Sequence, residues 1–110
     1  MNIINKMSPL TESTYYILIS LMEPLHGYGI MQKVSKLSNG RVNLAPGTLY
    51  GALGNLVDAG LIIPKDSDES NPRRKIYHIT KPGAELIKYE VARLEEMVKN
   101  GKILLAKKGV

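Results

Sequence analysis

A chain of 110 residues is long enough for one modest core and too short for two. Hydrophobic residues at 44% exclude a disordered polymer, and no Trp, no Phe and only six Tyr leave a core of Leu, Ile, Val and Met. Zero cysteines exclude disulfides, thiolate metal sites and cysteine catalysis together, while a net charge of +5 favours a polyanionic partner without requiring one. No apolar run reaches the length of a membrane span and Met1 to Met7 lacks a signal-peptide layout, so a soluble, cytoplasmic protein without membrane partners is expected.

Ser8-Pro9 reads as a helix start, and Leu10, Thr14, Ile17, Leu18, Leu21 and Met22 form a 3.6-residue stripe ending at Glu23-Pro24. After the breaker PLHG, Tyr28 to Ser38 carries Ile30, Val34 and Leu37 on one face, and Asn39-Gly40 closes this second helix. Residues 41–44, RVNL, are expected to pair as a small strand. A third helix starts near Pro46 and ends near Gly60, with Leu49, Leu53 and Leu56 on its inner face. Leu61 to Lys65 and Lys75 to Ile79 read as two strands joined by a polar turn, with Tyr77 and Ile79 pointing inward. Thr80 then caps a long helix from Lys81 to about Lys99, Pro82 being tolerated in its first turn, and the tail after Asn100-Gly101 either continues it or packs separately.

Helix, helix, short strand, helix, hairpin, helix is the order of a winged helix-turn-helix. The fold class expected is mostly α with a small β-hairpin: a DNA-binding winged helix-turn-helix over residues 1–80 and a C-terminal dimerisation helix and tail over 81–110, forming one compact unit. Within the third helix, Gly47, Gly51 and Gly54 fall opposite the leucines at about 100° per residue. An outward face without side chains costs about 1 kcal/mol per glycine relative to alanine, unless it lets the backbone approach something.

In a helix-turn-helix that something is the major groove of DNA. The segment beginning Ala45-Pro46-Gly47-Thr48 opens the helix with free N–H groups, Pro46 itself having none, and a positive dipole end suited to a phosphate. Thr48, Tyr50 and Asn55, flanking Gly51, offer a hydroxyl, a phenol and an amide to phosphates or base edges. The alternative is close packing of the glycine face on another helix. Arg73, Arg74 and Lys75 gather three cations at the base of the hairpin, where they either bind phosphate or stand as a solvated turn. Asp66, Asp68 and Glu69 make the hairpin tip acidic, so the wing is expected to engage DNA by its base.

DSDESN opens like a calcium loop, but Asn71 stands where glycine is needed and Tyr77 where the bidentate glutamate belongs. His26 and His78 have no ligand neighbours at metal spacing, and no nucleophile motif, phosphate loop or H-E-x-x-H is present. No metal, no cofactor and no enzyme activity are expected. Ala84, Ile87, Val91, Leu94 and Val98 are spaced 3, 4, 3, 4, which is a coiled-coil seam for a partner chain or, alternatively, a stripe packed on the first helix of the same chain.

LTESTYYILISLMEPLHGYGI, PGTLYGALGNLVDAGLI and RRKIYHITKPGAEL together resemble the PadR family of winged-helix transcriptional regulators, in its compact branch with a single helix after the wing. The resemblance implies a homodimeric repressor bound to a pseudo-palindromic double-stranded operator. It implies DNA contacts from Gly47, Thr48 and Tyr50 and from Arg73, Arg74 and Lys75, with Tyr28 and Gln32 touching the backbone. It implies a dimer made by the first and last helices, here through Tyr15, Ile87, Val91, Leu94 and Val98. Compact members bind planar aromatic compounds between subunits through a Trp on the last helix; this chain has no Trp, and Leu94 stands near that place. A small apolar effector between the subunits is therefore expected to bind by shape, with Tyr15 or Tyr16 at the edge. The second functional reading is a dimeric winged-helix module for protein interaction, without specific DNA binding.

Overall fold

A computed structural model describes residues 6–68 and 71–110, with the backbone only for 66–68 and 71–73. Four helices and a three-stranded antiparallel sheet follow one another: α1 Glu12–Ser20, β1 Leu25–His26, α2 Gly27–Leu37, α3 Pro46–Asp58, β2 Ile62–Asp68, β3 Asn71–Ile79 and α4 Lys81–Lys108. The helices and the hairpin follow one another as read from the sequence, and the architecture is a winged helix-turn-helix, but the short strand precedes α2 instead of following it.

The first helix begins later than Ser8-Pro9 suggests. Its N-cap is Thr11, whose side chain accepts from the Thr14 N–H at 3.2 Å. Ser8 is engaged elsewhere: its hydroxyl donates to the Glu90 carboxylate of α4 at 2.8 Å. The helix closes at Leu21, before Glu23-Pro24 turns the chain.

The third strand also lies elsewhere than expected. PLHG is not simply a breaker: Leu25 and His26 pair with Tyr77 and Ile76 of β3, so the sheet runs β1-β3-β2. RVNL forms no strand, because its polar groups are satisfied locally. The Val42 N–H donates to Ser38 Oγ at 2.9 Å and Asn43 Nδ2 donates to the Gly40 carbonyl at 2.7 Å, in a turn where Asn39 and Gly40 have φ of 53° and 80°. That left-handed pair ends α2 and lets buried Val42 fold back under it.

Strands β2 and β3 extend further into the polar stretch than the apolar residues alone indicate, with Asp66, Ser67 and Asp68 opposite Ile76, Lys75 and Asn71. Pro64 interrupts no ladder, since β2 is an edge strand and the register shifts just beyond it.

One core holds the elements together: Ile17 and Leu18 of α1, Ile30 and Val34 of α2, the three leucines of α3 and Leu86 of α4 are all buried. The start of α4 is fixed tightly to the end of α3. The Thr80 N–H donates to the Leu61 carbonyl at 3.0 Å, its hydroxyl donates to the Gly60 carbonyl at 2.7 Å, and its Oγ1 caps the Gly83 N–H at 3.2 Å. Gly83 is obligatory here, because a Cβ would lie 2.3 Å from the Leu61 carbonyl oxygen.

Of the two alternatives for the tail, the structure shows continuation of the helix. α4 runs through Asn100-Gly101 for 28 residues and stops only at Gly109, in the left-handed conformation at φ 80°. A lone glycine costs about 1 kcal/mol, and the good helix formers of KILLAKK on its far side extend a helix already nucleated.

Candidate nucleic-acid interface

The glycine face of α3 is bare. A Cβ placed on Gly47, Gly51 or Gly54 would meet nothing within 4 Å, while Leu49, Leu53 and Leu56 are buried beneath them. Among the described residues, therefore, no helix packs on this face. Pro46, Thr48 and Asn55 are exposed along it. Pro46 occupies the first turn and Ala45 provides no side-chain cap, so the opening N–H groups are not covered by a side-chain cap.

Tyr50 reaches from this helix toward the start of α2. Its ring lies over Gly27, where a Cβ would stand 2.5 Å from the phenol oxygen. The ring is still 54% exposed. It forms one wall of a cleft of about 520 Å³ whose other walls are His26, Gly27, Tyr28, Arg74, Lys75 and Tyr77. The start of α2, the helix α3 and the base of the β2–β3 hairpin meet there.

Two devices shape that cleft. His26 is the N-cap of α2, its Nδ1 accepting from the Gly29 N–H at 3.1 Å, which aims the α2 N-terminus at the opening. Tyr77 is pinned in β3, and burial, then the neighbouring Tyr50 phenol, push its phenol above the ordinary tyrosine range. It stands as a neutral hydroxyl at physiological pH. With the two cations, the cleft offers donors to an anion.

Of the residues expected to touch DNA, Tyr28, Tyr50, Arg74 and Lys75 thus share one cleft, and Pro46, Gly47, Thr48, Gly51 and Asn55 lie on the exposed surface of α3. Gln32 sits one turn beyond Tyr28, beside Ser35 and Asn43 in a neighbouring groove. The side chains of Arg73, Asp66 and Asp68, and Glu69 altogether, lie outside the described residues. No sequence pattern singles out Gly27: its signal is the spatial partner Tyr50, which no spacing rule reveals.

The residues expected at a dimer contact divide in two. Tyr15 is half-buried, edge-on to Tyr16 with ring centroids 5.9 Å apart, and Ile87 is buried in the chain's own core. Further along α4, Leu94 is partly exposed, Val91 and Val98 are exposed, and the apolar run continues outward through Met97, Leu104 and Leu105. Between these halves sits Glu90, a carboxylate with no solvent exposure. It accepts from Ser8 Oγ at 2.8 Å, the Leu10 N–H at 2.6 Å and Arg93 Nε at 2.7 Å. The Arg93 guanidinium first, then the two N-terminal donors, outweigh burial and hold its pKa down to about 2. Through this group Ser8 and Leu10 are tied to α4.

Among the described residues no cluster of His, Asp or Glu could hold a metal ion, and no helix is long and apolar enough to cross a membrane.

Comparison with known proteins agrees with this architecture. Residues 17–89 match the transcriptional regulator PadR-like family. A PadR family transcriptional regulator from Eggerthella lenta is similar at 26% identity, over 84% of this chain and 80% of that one, with a TM-score of 0.68. A transcriptional regulator from Clostridium thermocellum is 25% identical over 86% and 87% of the two chains, with a TM-score of 0.61. A PadR family regulator from Clostridium difficile, 23% identical over 86% of this chain and 99% of that one, shares the fold with a TM-score of 0.73. A 37.1 kDa protein in a transposon of Streptomyces fradiae is 38% identical over 78 residues, which are 68% of this chain and 21% of that protein. The chain spans about a fifth of that relative. With more than half of its length matched, the chain belongs to the PadR-like family of transcriptional regulators.

Proposed function

We propose that this PadR-like chain is a homodimeric repressor that binds a pseudo-palindromic double-stranded DNA operator and is released by a small apolar effector. The observation that carries the DNA reading is the open face of α3: Gly47, Gly51 and Gly54 have nothing within 4 Å of their missing side chains. A helix retains three such positions at a cost of about 1 kcal/mol each only where close backbone approach repays it. The cleft beside that face supports the reading, since its phenols, Arg74 and Lys75 suit a phosphate flanking the groove. Thr48 and Asn55 are the residues assigned to base edges, and Gln32 and Tyr28 to the backbone.

The dimer rests on the exposed apolar stripe of α4. Val91 and Val98, extended by Leu105, are exposed and Leu94 is half-buried on a helix whose buried residues all lie in its first turns, and a second copy of that stripe would bury it. An effector held between two such stripes meets aliphatic walls with no indole to stack on, so shape selects it.

Footprinting on genomic fragments tests this. Two symmetric protected patches about one helical turn apart are expected. A single asymmetric patch from a monomer overturns the operator reading, and no binding to any duplex at low salt leaves the protein-interaction module in its place.

A further inference from the structure

Gly27 has no conformational need to be glycine. It opens α2 and is not among the glycines with positive φ, which are Gly40, Gly60 and Gly109. Alanine is the better helix former at such a place, and a tolerated Gly→Ala change normally stabilises a fold by restricting the unfolded chain. Something other than the backbone requires the glycine.

The space of the missing side chain is filled by Tyr50. A Cβ on Gly27 would lie 2.5 Å from the phenol oxygen, 2.9 Å from Cζ and 3.1 Å from Cε1. Other glycines differ: at Gly29 a Cβ would be in ordinary contact at 3.4 Å, and at Gly83 it would strike backbone. Gly27 is the described glycine whose vacancy accommodates a side chain from the recognition helix.

We infer that Gly27 is a positioning residue for Tyr50, giving the phenol a seat that fixes where its hydroxyl stands in the cleft between α3 and the wing. More than half of the Tyr50 surface is exposed, so its ring is open to other positions unless it is seated. An unseated ring would have to be ordered at the moment of binding, which lowers affinity. The seat does that ordering in advance. The seat itself stands on the geometry, and its effect on binding rests on the DNA-binding reading.

The test is Gly27→Ala in the full chain, with Tyr50→Ala and the double variant. In the parent, nuclear Overhauser contacts between the Gly27 α-protons and the Tyr50 ring protons are expected; in Gly27→Ala the ring resonances move and the thermal midpoint is equal or higher. Affinity for a random-sequence duplex pool at low salt falls roughly tenfold, as for a missing hydrogen bond to a charged group. On the Tyr50→Ala background the same Gly27→Ala change alters affinity by less than about twofold, because the group it displaces is gone. A parent without the ring contact overturns the seat. A Gly27→Ala loss of equal size with and without Tyr50, or no loss when the ring has moved, overturns the positioning role. A parent that binds no duplex at all refutes the DNA reading, and the seat is then judged by the ring contact alone.

Discussion

Exchanging Glu90 for glutamine keeps the shape of the side chain and removes its charge, and we expect it to cost this small fold a large part of its stability. The carboxylate is fully buried and accepts from Ser8, the Leu10 N–H and Arg93. Its pKa is lowered from 4.5 to about 2, and each pH unit of that lowering is worth about 1.4 kcal/mol, so ionisation contributes on the order of 3 kcal/mol. A glutamine must also turn its NH2 toward a donor, and it leaves Arg93 without its charge partner. Arg93 is 27% exposed, so water recovers part of that loss. A net cost of about 2–3 kcal/mol at pH 7 follows, against total stabilities of about 5–15 kcal/mol for domains.

The pH dependence has a definite sign. A carboxyl whose folded pKa lies below its unfolded one contributes fully above about 4.5 and loses that contribution as pH falls toward about 2. Urea unfolding of parent and Glu90→Gln at one protein concentration, from pH 7 down to pH 2.5, should show a gap that is widest above pH 5 and narrows in acid. Other carboxyls titrate in both proteins and cancel from the difference. A gap under about 0.5 kcal/mol at pH 7, or one that stays constant into acid, refutes the assignment of Glu90 as the charged tie between α4 and residues 8–10.

Replacing Arg73, Arg74 and Lys75 together with alanine should weaken binding to all duplexes and flatten the slope of log affinity against log salt by up to about 0.9 for each phosphate no longer neutralised; fluorescence anisotropy across a salt series measures it. Leu94→Glu places a charge in the proposed seam, at several kcal/mol unless the interface opens. A monomer by light scattering, with loss of operator protection, is expected. Gly83→Ala brings a Cβ to 2.3 Å from the Leu61 carbonyl oxygen, which is backbone and cannot step aside; overpacking of this kind costs about 1–3 kcal/mol and should lower the thermal midpoint, the opposite of Gly27→Ala.

Periodicity makes most of the fold legible. The leucines of α3, Ile17 and Leu18 of α1, Ile30 and Val34 of α2 and the cap at Thr80 are local signals and lie where their patterns place them, whereas Met22 and Leu37, at the ends of their stripes, are exposed. What spacing cannot show is how distant segments meet. Leu25 and His26 form a strand only because β3 offers an edge, and two residues carry no alternation to read. Ser8 carries the signature of a helix start, yet a carboxylate on α4 takes its hydroxyl. Glu90 itself interrupts an apolar stripe and looks like a solvated charge until its N-terminal donors are seen. Gly101 leaves open a continued helix or a separate tail, and the strong helix formers beyond it decide for the first, since a lone glycine costs only about 1 kcal/mol. In the candidate site the exposed residues of α3 are readable as a face; the seating of Tyr50 on Gly27 is not, because it joins two helices.

The way α4 is rooted has a mechanical consequence. Gly83 against Leu61 and Glu90 against residues 8–10 clamp its first turns to the body that carries α3, so this part of the helix has no joint of its own. Beyond Glu90 the helix continues to Lys108, a rod of about 27 Å at 1.5 Å per residue. A rod of that length held at one end is a lever: a tilt of roughly 5° at the root carries the tip roughly 2 Å. In a pair joined through these rods, the distance between the two α3 helices is set by where the rods cross and at what angle. Whatever wedges between them alters that gauge, while each clamped body travels unchanged.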